Sequence, residues 1–389
     1  MPWTRDMRLL AGAVFLSSAG DLLARIVLAL HVYDLTGSGL AVSALVATTL
    51  VPVVAVAPLA GLVADRFESV RVLLTASLMQ AVVAAALGFS TDLVVILALS
   101  SLLTVGNAFG QPAEFTLIPA VAGHERMTEA AGLLEAARYA GFAAGPLLAA
   151  GLAAAGTEAA LLVNAASFLA IAAAVGLMHT RRHPQPAARA AEGGQRARDG
   201  FLLLWHDRVL RTIVTAATSA LLFISASMTV EVFYAKDVLH AGDTGYALLT
   251  SAWTIGMVVG AIGLASRVPR GAMAVGALVA LGVQGAGMAL QVGWAVLPVA
   301  LAGYLVGGLG HGVKNALIRT VIQRRVPDGL HGRVFAAYNA ARNTMELGAL
   351  GAGGVLVTAI GPRAALLIAG LGPVVASLAG LTVLRRRRG

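Results

Sequence analysis

The sequence predicts an all-α membrane protein in which twelve transmembrane helices form two pseudo-symmetric six-helix bundles. Of the 389 residues, 58% are hydrophobic and only 12% are charged, against roughly 25% charged in soluble domains. The apolar runs are about twenty residues or longer, which is the length of a helix that spans a bilayer. A β-barrel would show alternating segments of about ten residues instead, so the runs must be helical.

Twelve runs of spanning length follow one another along the chain. They cover residues 8–33, 38–63, 69–90, 92–117, 128–154, 158–178, 208–235, 244–267, 271–292, 294–318, 330–358 and 362–384. A polar stretch rich in Arg, Ala, Gly and Pro separates the sixth run from the seventh and is typical of a linker. We therefore expect an N-terminal bundle over 1–178, a cytoplasmic linker over 179–206 and a C-terminal bundle over 207–389.

The two halves resemble each other at an offset of about 204 residues. At that offset, polar and glycine positions of the fourth and fifth runs meet related positions of the tenth and eleventh, namely Gly106 with Gly310, Asn107 with His311, Gln111 with Asn315 and Arg138 with Arg342. Several matches at one offset indicate a parallel repeat of six spans.

Basic residues in the loops predict the orientation in the membrane. With a cytoplasmic N-terminus, almost every loop Arg lies inside, and only Lys236 and Arg363 lie outside. The positive-inside rule then places both termini in the cytoplasm, and we expect a multi-pass protein of a bacterial plasma (inner) membrane.

Composition also excludes several kinds of function. The net charge of +9 is explained by this topology and by attraction to anionic lipid rather than by nucleic acid, since no basic patch with interleaved aromatic residues is found. The chain has no Cys, which excludes disulfides and thiol catalysis. Without a metal-ligand cluster, nucleophile elbow or phosphate loop, we expect neither an enzyme nor a metal or cofactor.

Charges inside the spans predict where a polar cavity lies. A charge that faces lipid at mid-bilayer costs about 3 kcal/mol or more, so such a residue must face a protein or water interior. The third, sixth, ninth and twelfth spans carry no ionisable residue in their interiors. Every third helix is therefore free to face lipid, while the others enclose the cavity.

Polar and charged positions on these other spans are the candidate functional residues. The candidates for proton coupling are Asp21, Arg25 and Glu114. The candidates for lining a substrate cavity are Asn107, Gln111, Arg138, Glu231, His311, Lys314, Asn315, Arg342, Asn343 and Glu346.

Asp21 and Arg25 lie four residues apart on one helix face, and two interpretations stay open. They are either a self-neutralising pair that stabilises packing, or a protonatable site that the arginine tunes. Glu114 is interpreted either as a solvated carboxylate near a helix end or as a site of proton or cation access.

Each half carries one further pair of oppositely charged residues on one helix face. Glu135 lies three residues before Arg138, and Arg342 lies four residues before Glu346. Both could be structural pairs, although the two arginines, being related by the repeat, are the better candidates for lining a cavity.

Four stretches resemble one branch of the major facilitator superfamily, the drug exporters that include macrolide efflux proteins and the enterobactin exporter. The stretches are GDLLARIVLALHVYDLTGSGLAVS (20–43), GLVADRFESVRVLL (61–74), GFAAGPLLAAG (141–151) and VPDGLHGRVFAAYNAAR (326–342). The resemblance implies the major facilitator fold, alternating access around a central cavity, and proton antiport.

The resemblance also implies a conformational switch. Its residues would be Asp65 in the signature loop, with Gly61, Arg66 and Arg71 around it, and the helix-five motif residues Gly141, Gly145 and Pro146. From the residues themselves, the two glycines four apart form a small face on which we expect the two bundles to approach each other closely.

The sequence departs from the family pattern at two places. No Arg stands early in the fourth span, and Glu68, Ser69 and Val70 follow the loop signature where the family usually has Gly and basic residues. Two interpretations of the missing arginine stay open: Arg138 replaces it, or proton coupling is organised differently from the family pattern.

Together these features predict a monomeric secondary active transporter that exports amphipathic small molecules, such as drugs, antibiotics or siderophore-like metabolites. Its partners are the substrate, protons and the lipid bilayer, and cavity cations that outnumber acids favour neutral or anionic substrates. A uniporter or lipid translocator of the same fold, and a membrane receptor or assembly partner that does not transport, stay open as alternatives.

Overall fold

The computed structural model describes residues 3–123, 126–180, 201–326, 331–349 and 352–385. The helices of these ranges are α1 Arg5–Thr36, α2 Gly39–Ala47, α3 Val51–Arg66, α4 Ser69–Gly88, α5 Leu93–Ala122, α6 Met127–Leu152, α7 Gly156–Gly176, α8 Arg208–Phe233, α9 Gly242–Val259, α10 Met273–Gly293, α11 Leu297–Arg325, α12 His331–Ala349 and α13 Ala352–Arg385.

These helices account for the twelve predicted spans, and the fold-class prediction is confirmed. Helices α2 and α3 together form the second span, which is interrupted at residues 48–50. Pro52 lies in the first turn of α3, and its ring nitrogen has no N–H with which to continue a helix from α2. Helix α12 and the start of α13 form the eleventh span, and the rest of α13 forms the twelfth.

Glycines in a left-handed backbone conformation separate the last two spans of each half. Gly156, between α6 and α7, has φ 86°, and Gly361, inside α13, has φ 77°. Residues with a Cβ rarely adopt such angles, so glycine is required at these turns. The two positions are related by almost the same offset as the rest of the repeat.

In the described part of the chain, nine helical segments are long and apolar enough to cross a membrane, and one of them, Gly132–Gly176, contains two predicted spans. The tenth and eleventh spans are not among the nine. These two spans carry several of the predicted cavity residues, so their polar side chains lower their apolar character.

The chain folds into two compact units. The first contains Met1–Gly37 and Ala44–Ala188, and the second contains Ser38–Ser43 and Arg189–Gly389. The predicted bundle limits at 178 and 207 stay a prediction, since residues 181–200 of the predicted linker lie outside the described ranges.

The same pairs of spans pack against each other within each unit. In the first unit α1 packs on α6 and α7, and α4 packs on α5 and α7. In the second unit α8 packs on α12 and α13, and α10 packs on α11 and α13. Because each pair in one unit has its repeat-related pair in the other, the packing confirms two pseudo-symmetric bundles.

Large apolar side chains cover the outer faces of the third, sixth, ninth and twelfth spans. Examples are Val82, Leu169, Val279 and Val375, with exposed fractions of 71%, 53%, 47% and 64%. Such exposure suits hydrocarbon rather than water. The expectation that every third helix is free to face lipid is consistent with this surface.

Asp207 fixes the start of α8. Its carboxylate accepts the N–H groups of Val209 and Leu210 at 2.8 and 2.9 Å, and it pairs with Arg325 at 2.8 Å. Burial favours the neutral acid, but the Leu210 N–H and the Arg325 guanidinium outweigh it, so the pKa of Asp207 lies below its ordinary value of 3.8. The carboxylate thereby joins the beginning of the seventh span to the end of the tenth.

Gly141 and Gly145 form the contact of α6 with α1 of the same unit. A Cβ at Gly141 would lie 2.5 Å from the Phe15 carbonyl oxygen, and one at Gly145 would lie 2.7 Å from the Ala19 carbonyl oxygen. The expectation that this glycine face serves the approach of the two bundles is therefore wrong, because α1 already occupies it. Helix α6 continues through the buried Pro146.

Replacing Gly145 by Ala should destabilise the protein, because the new methyl group meets the backbone of α1. We expect a cost of about 1–3 kcal/mol, measured as a lower Tm in thermal unfolding of the purified protein in lipid nanodiscs. Gly132→Ala on the same helix is the matched control, since nothing lies within 4 Å of its added Cβ. Its Tm should be unchanged or higher, and an equal Tm loss in both variants would contradict this packing.

Candidate functional site

A chain of polar side chains crosses the first unit and ends at Asp21. Asn107 on α5 donates its amide Nδ2 to Asp21 Oδ2 at 3.2 Å. Gln80 on α4 donates to Asn107 Oδ1 at 2.8 Å and to the Leu103 carbonyl at 3.1 Å. The third, fourth and first spans are thus connected, and the Asp21 carboxylate receives a donor inside the unit.

A glycine makes room for this chain. A Cβ on Gly106 would lie 2.5 Å from Cγ of Gln80, and Gln80 is 4% exposed. At the repeat offset, Gln284 stands where Gln80 does and packs against Gly310, whose added Cβ would lie 2.5 Å from the Gln284 backbone nitrogen. Both units therefore place a glutamine of α4 or α10 against a glycine of the next helix.

Arg25 does not neutralise Asp21 directly. In the described ranges no ion pair within 4.0 Å joins the two residues, and Arg25 is exposed. Arg25 and Arg138 both lie within electrostatic range of Asp21. The self-neutralising pair that the sequence spacing allowed is therefore not formed.

Arg138 is bound by two carboxylates. Its guanidinium pairs with Glu114 on α5 at 2.7 Å and with Glu135 on its own helix at 3.8 Å. The Glu114 side chain is 13% exposed, so the interpretation of Glu114 as a solvated carboxylate at a helix end is wrong. Burial makes such a pair costly to break from one side only, and its geometry is that of a structural pair between the fourth and fifth spans.

The second unit has the corresponding positions but leaves several of them without a hydrogen-bond partner. His311, which aligns with Asn107, has its Nε2 2.8 Å from Asn315 Nδ2. Among described residues, His311 Nδ1 and both polar atoms of the Gln284 side chain are buried without a partner. Buried polar atoms of this kind are usually satisfied by water or a ligand.

The Trp253 ring lies next to His311 and also close to Tyr304. The Trp253 ring on α9 lies 5.5 Å from the His311 ring and 6.3 Å from the Tyr304 ring, measured between centroids. Gly307 and Gly308 on α11 let Trp253 approach, because a Cβ on either would meet its ring or backbone. This arrangement offers apolar ring surfaces next to the imidazole.

Lys314 and Arg342 are cations of the second unit. Lys314 is 3% exposed, and Arg342 lies 5.9 Å from the centre of the Tyr338 ring. Within the described ranges neither has a carboxylate within 4.0 Å, so the spacing of Arg342 and Glu346 does not produce an ion pair. The two cations lie within electrostatic range of each other.

The other cavity candidates are placed as follows. Glu231 on α8 accepts a hydrogen bond from Ser227 at 3.0 Å. Gln111 is exposed on α5, while Asn343 and Glu346 are partly buried on α12. How residues of both units combine into one cavity stays a prediction.

The predicted switch loop joins α3 to α4. Arg66 ends α3 and is exposed, and the Arg71 guanidinium pairs with Glu68 at 3.0 Å while its side chain is 82% exposed. An exposed pair of this kind contributes little stability. The surroundings of Gly61 and the side chain of Asp65 lie outside the part that the structure describes, so the switch role of this loop stays a prediction.

Four residues of the site were not predicted from the sequence, and their residue types explain why. Gln80 and Gln284 lie in the third and ninth spans, which were set aside because they carry no charge. Their shared offset and their amide groups were the available signal. Trp253 and Tyr304 gave no such signal, because aromatic residues are common in any apolar span. Across the described residues, no group of three or more His, Asp or Glu side chains could hold a metal ion.

Two repeated six-helix bundles with ionisable groups in their interiors define a polytopic membrane protein of the transporter class. The family model of the Major Facilitator Superfamily matches residues 10–349. The chain belongs to this superfamily and is one of its multi-pass membrane transporters.

Relatives and solved structures agree with this assignment. The Multidrug efflux pump Tap of Mycobacterium tuberculosis and that of Mycobacterium bovis are each 29% identical to the chain over 347 residues, covering 83% of this chain and 80% of the relative. The nucleoside transporter NupG has a TM-score of 0.76 at 14% identity over 98% of this chain and 100% of its own. A bacterial homologue of the iron transporter ferroportin, in an inward-facing state, has a TM-score of 0.73 at 16% identity. The match covers 99% of this chain and 100% of the homologue. At these identities the two structures show the fold alone.

The contact of Gly106 with Gln80 predicts non-additive stability changes. Gly106→Ala should cost about 1–3 kcal/mol in the wild-type background and much less when Gln80 is already Ala, because the obstructing side chain is then absent. Thermal unfolding of the four proteins in nanodiscs measures this.

Gly110→Ala on the same helix is the control for that cycle, since the nearest atom to its added Cβ is Leu73 Cδ2 at 3.6 Å. Its effect should add to that of Gln80→Ala. If the stability changes of Gly106→Ala and Gln80→Ala were also additive, the small size of Gly106 would not be what makes room for the Gln80 side chain.

Proposed function

We propose that the protein exports amphipathic small molecules across a bacterial plasma membrane, by alternating access and in exchange for protons. The observation that carries the proposal is the Asp21 carboxylate, held in the interior of the first span by Asn107. The proposed cytoplasmic position of both termini follows from the loop arginines.

Asp21 suits proton transfer better than Glu114, the other acidic candidate for proton coupling. Its carboxylate has a hydrogen-bond donor but, among described residues, no ion pair within 4.0 Å. It can therefore gain or lose a proton without breaking an ion pair. Glu114 is bound by Arg138 at 2.7 Å, and protonating it would leave that arginine with only the longer Glu135 contact. We assign proton coupling to Asp21, with Arg25 and Arg138 setting the local field, and packing to Glu114.

Outward transport is supported by the relatives, which are named multidrug efflux pumps and match over most of their own length. Inward proton flow would supply the driving force, since the membrane potential contributes about 2.3 kcal/mol per charge per 100 mV. The polar and aromatic side chains around His311 suit substrates with both apolar and polar parts. In this mechanism the loop with Gly61, Asp65, Arg66 and Arg71 is the proposed switch, and Pro146 permits bending of α6.

Asp21→Asn should abolish uphill transport, because an amide cannot take up and release a proton. In liposomes with an imposed pH gradient, we expect uphill accumulation of a substrate from a panel of dyes and antibiotics to fall at least about tenfold, while substrate exchange without a gradient persists. The matched control is Asp92→Asn, because Asp92 caps the first turn of α5 through the Val95 N–H and Asn caps a helix equally well.

The other possible results of this experiment favour different assignments of function. Normal uphill transport by Asp21→Asn would remove Asp21 from the coupling role. Transport by the wild type that ignores the pH gradient would favour a uniporter or lipid translocator, and no transport of any substrate would favour a receptor or assembly partner.

A further inference from the structure

The repeat exposes a charge difference between the units. At the offset that aligns Arg138 with Arg342, three acidic positions of the first unit have no acidic counterpart in the second, since Asp21, Glu114 and Glu135 correspond to Ser225, Ile318 and Asn339. Lys314, in contrast, stands where the first unit has Gly110. The second unit therefore has the equivalent arginine and a further cation, but no acid at the three equivalent positions, and its own Glu346 forms no ion pair with Arg342.

Because Lys314 is buried, the lack of a neighbouring carboxylate is energetically costly for it. The Lys314 side chain is 3% exposed, and the described residues place no carboxylate within 4.0 Å of it or of Arg342. A buried cation without an acid is unfavourable. The cost is largely removed when an anion arrives with charge and hydrogen-bond acceptors of its own.

A cavity of the second unit shares one lining residue, Tyr338, with the surroundings of Arg342. It has a volume of about 230 Å³, lies between α11 and α12, and is lined by Arg319, Gln323, Phe335, Tyr338 and Asn339. Tyr338 lines this cavity together with Arg319, and the Arg342 guanidinium lies 5.9 Å from the centre of the Tyr338 ring. In the described part of the unit, Arg319 has no ion pair within 4.0 Å. Tyr338 thus lies both at the cavity with the exposed Arg319 and next to the partly buried Arg342.

The size and lining of the cavity indicate what it binds. Pockets for whole drug-sized ligands measure about 300–1,000 Å³, so this cavity suits an acidic head group with one ring. Arg319 matches a carboxylate or phosphate with two parallel hydrogen bonds. Phe335 and Tyr338 provide surfaces for the ring, and Asn339, the counterpart of Glu135, replaces an anion-repelling group by an amide.

We propose that the C-terminal unit contains an anion-binding path, in which the Arg319–Tyr338 cavity first binds the acidic head of an amphipathic substrate and Lys314 with Arg342 binds it more deeply. This rests on the proposed function, because the anion is taken to be the transported molecule. It adds the substrate class and a binding site outside the residues assigned to the cavity so far.

The test measures binding to the full-length protein in nanodiscs of zwitterionic lipid, with no gradient. The probes are carboxyfluorescein, an aromatic anion, and rhodamine 6G, a cation with a similar ring system, each followed by fluorescence anisotropy and corrected with empty discs. Arg319→Gln should weaken carboxyfluorescein binding about tenfold and leave rhodamine 6G binding unchanged. Arg319→Lys should retain part of the affinity, and Lys314→Gln should reproduce the loss.

Arg363→Gln is the control in the same unit. Among the described residues this exposed arginine donates its hydrogen bonds to the Val292 carbonyl, so the change should leave both affinities unchanged. Equal weakening of both dyes, an unchanged carboxyfluorescein Kd in Arg319→Gln, or no binding of carboxyfluorescein to the wild type would overturn the proposal. Thermal unfolding shows whether each variant is folded. Because the binding assay uses no proton gradient, a wild type that binds carboxyfluorescein but ignores the pH gradient in liposomes would show a failure of antiport and not of the anion path.

Discussion

The rest of the structure depends on one constraint, that a charge inside a membrane-spanning bundle must find its partners within the protein. The first unit meets it with its own side chains, since Glu114 and Glu135 bind Arg138 and Asn107 binds Asp21. The second unit leaves Lys314 and Arg342 without a carboxylate in the described ranges. The same helical frame thus holds an arginine bound by two carboxylates in one half and, in the other, two cations that no described carboxylate approaches within 4.0 Å.

Comparing equivalent positions of the two units shows which residues serve helix packing and which differ in their chemistry. A glutamine against a glycine occurs in both units, at Gln80 with Gly106 and at Gln284 with Gly310, because closely packed helices need the same space in each. The side chain next to each glycine differs, with Asn107 binding Asp21 in one unit and His311 lying against Trp253 in the other. We interpret this as a division of roles, with protons handled by the first unit and the substrate's charged group by the second.

Hydropathy alone was enough to predict the twelve spans, because lipid allows few ways to satisfy a backbone, and the repeat was readable from matched glycine and polar positions. The hydrogen-bond and packing partners of individual residues were less predictable. Spacing put Asp21 and Arg25 on one helix face, but a neighbouring amide rather than the arginine bonds the carboxylate. Two glycines four apart predicted a close helix contact without indicating the helix, which is α1. Gln80 was missed because its span carries no ionisable residue and was therefore expected to face lipid.

Proton release on substrate binding tests the division of roles most directly. A substrate and a proton that compete through two linked sites must affect each other's binding equally, so on the order of one proton should leave per substrate bound. The measurement uses purified protein in weakly buffered solution with a pH-sensitive dye, titrated with a transported anion. Wild type should release protons, and Asp21→Asn should bind the anion without releasing any. Equal proton release by both proteins, or binding by the wild type with no proton release, would contradict the account.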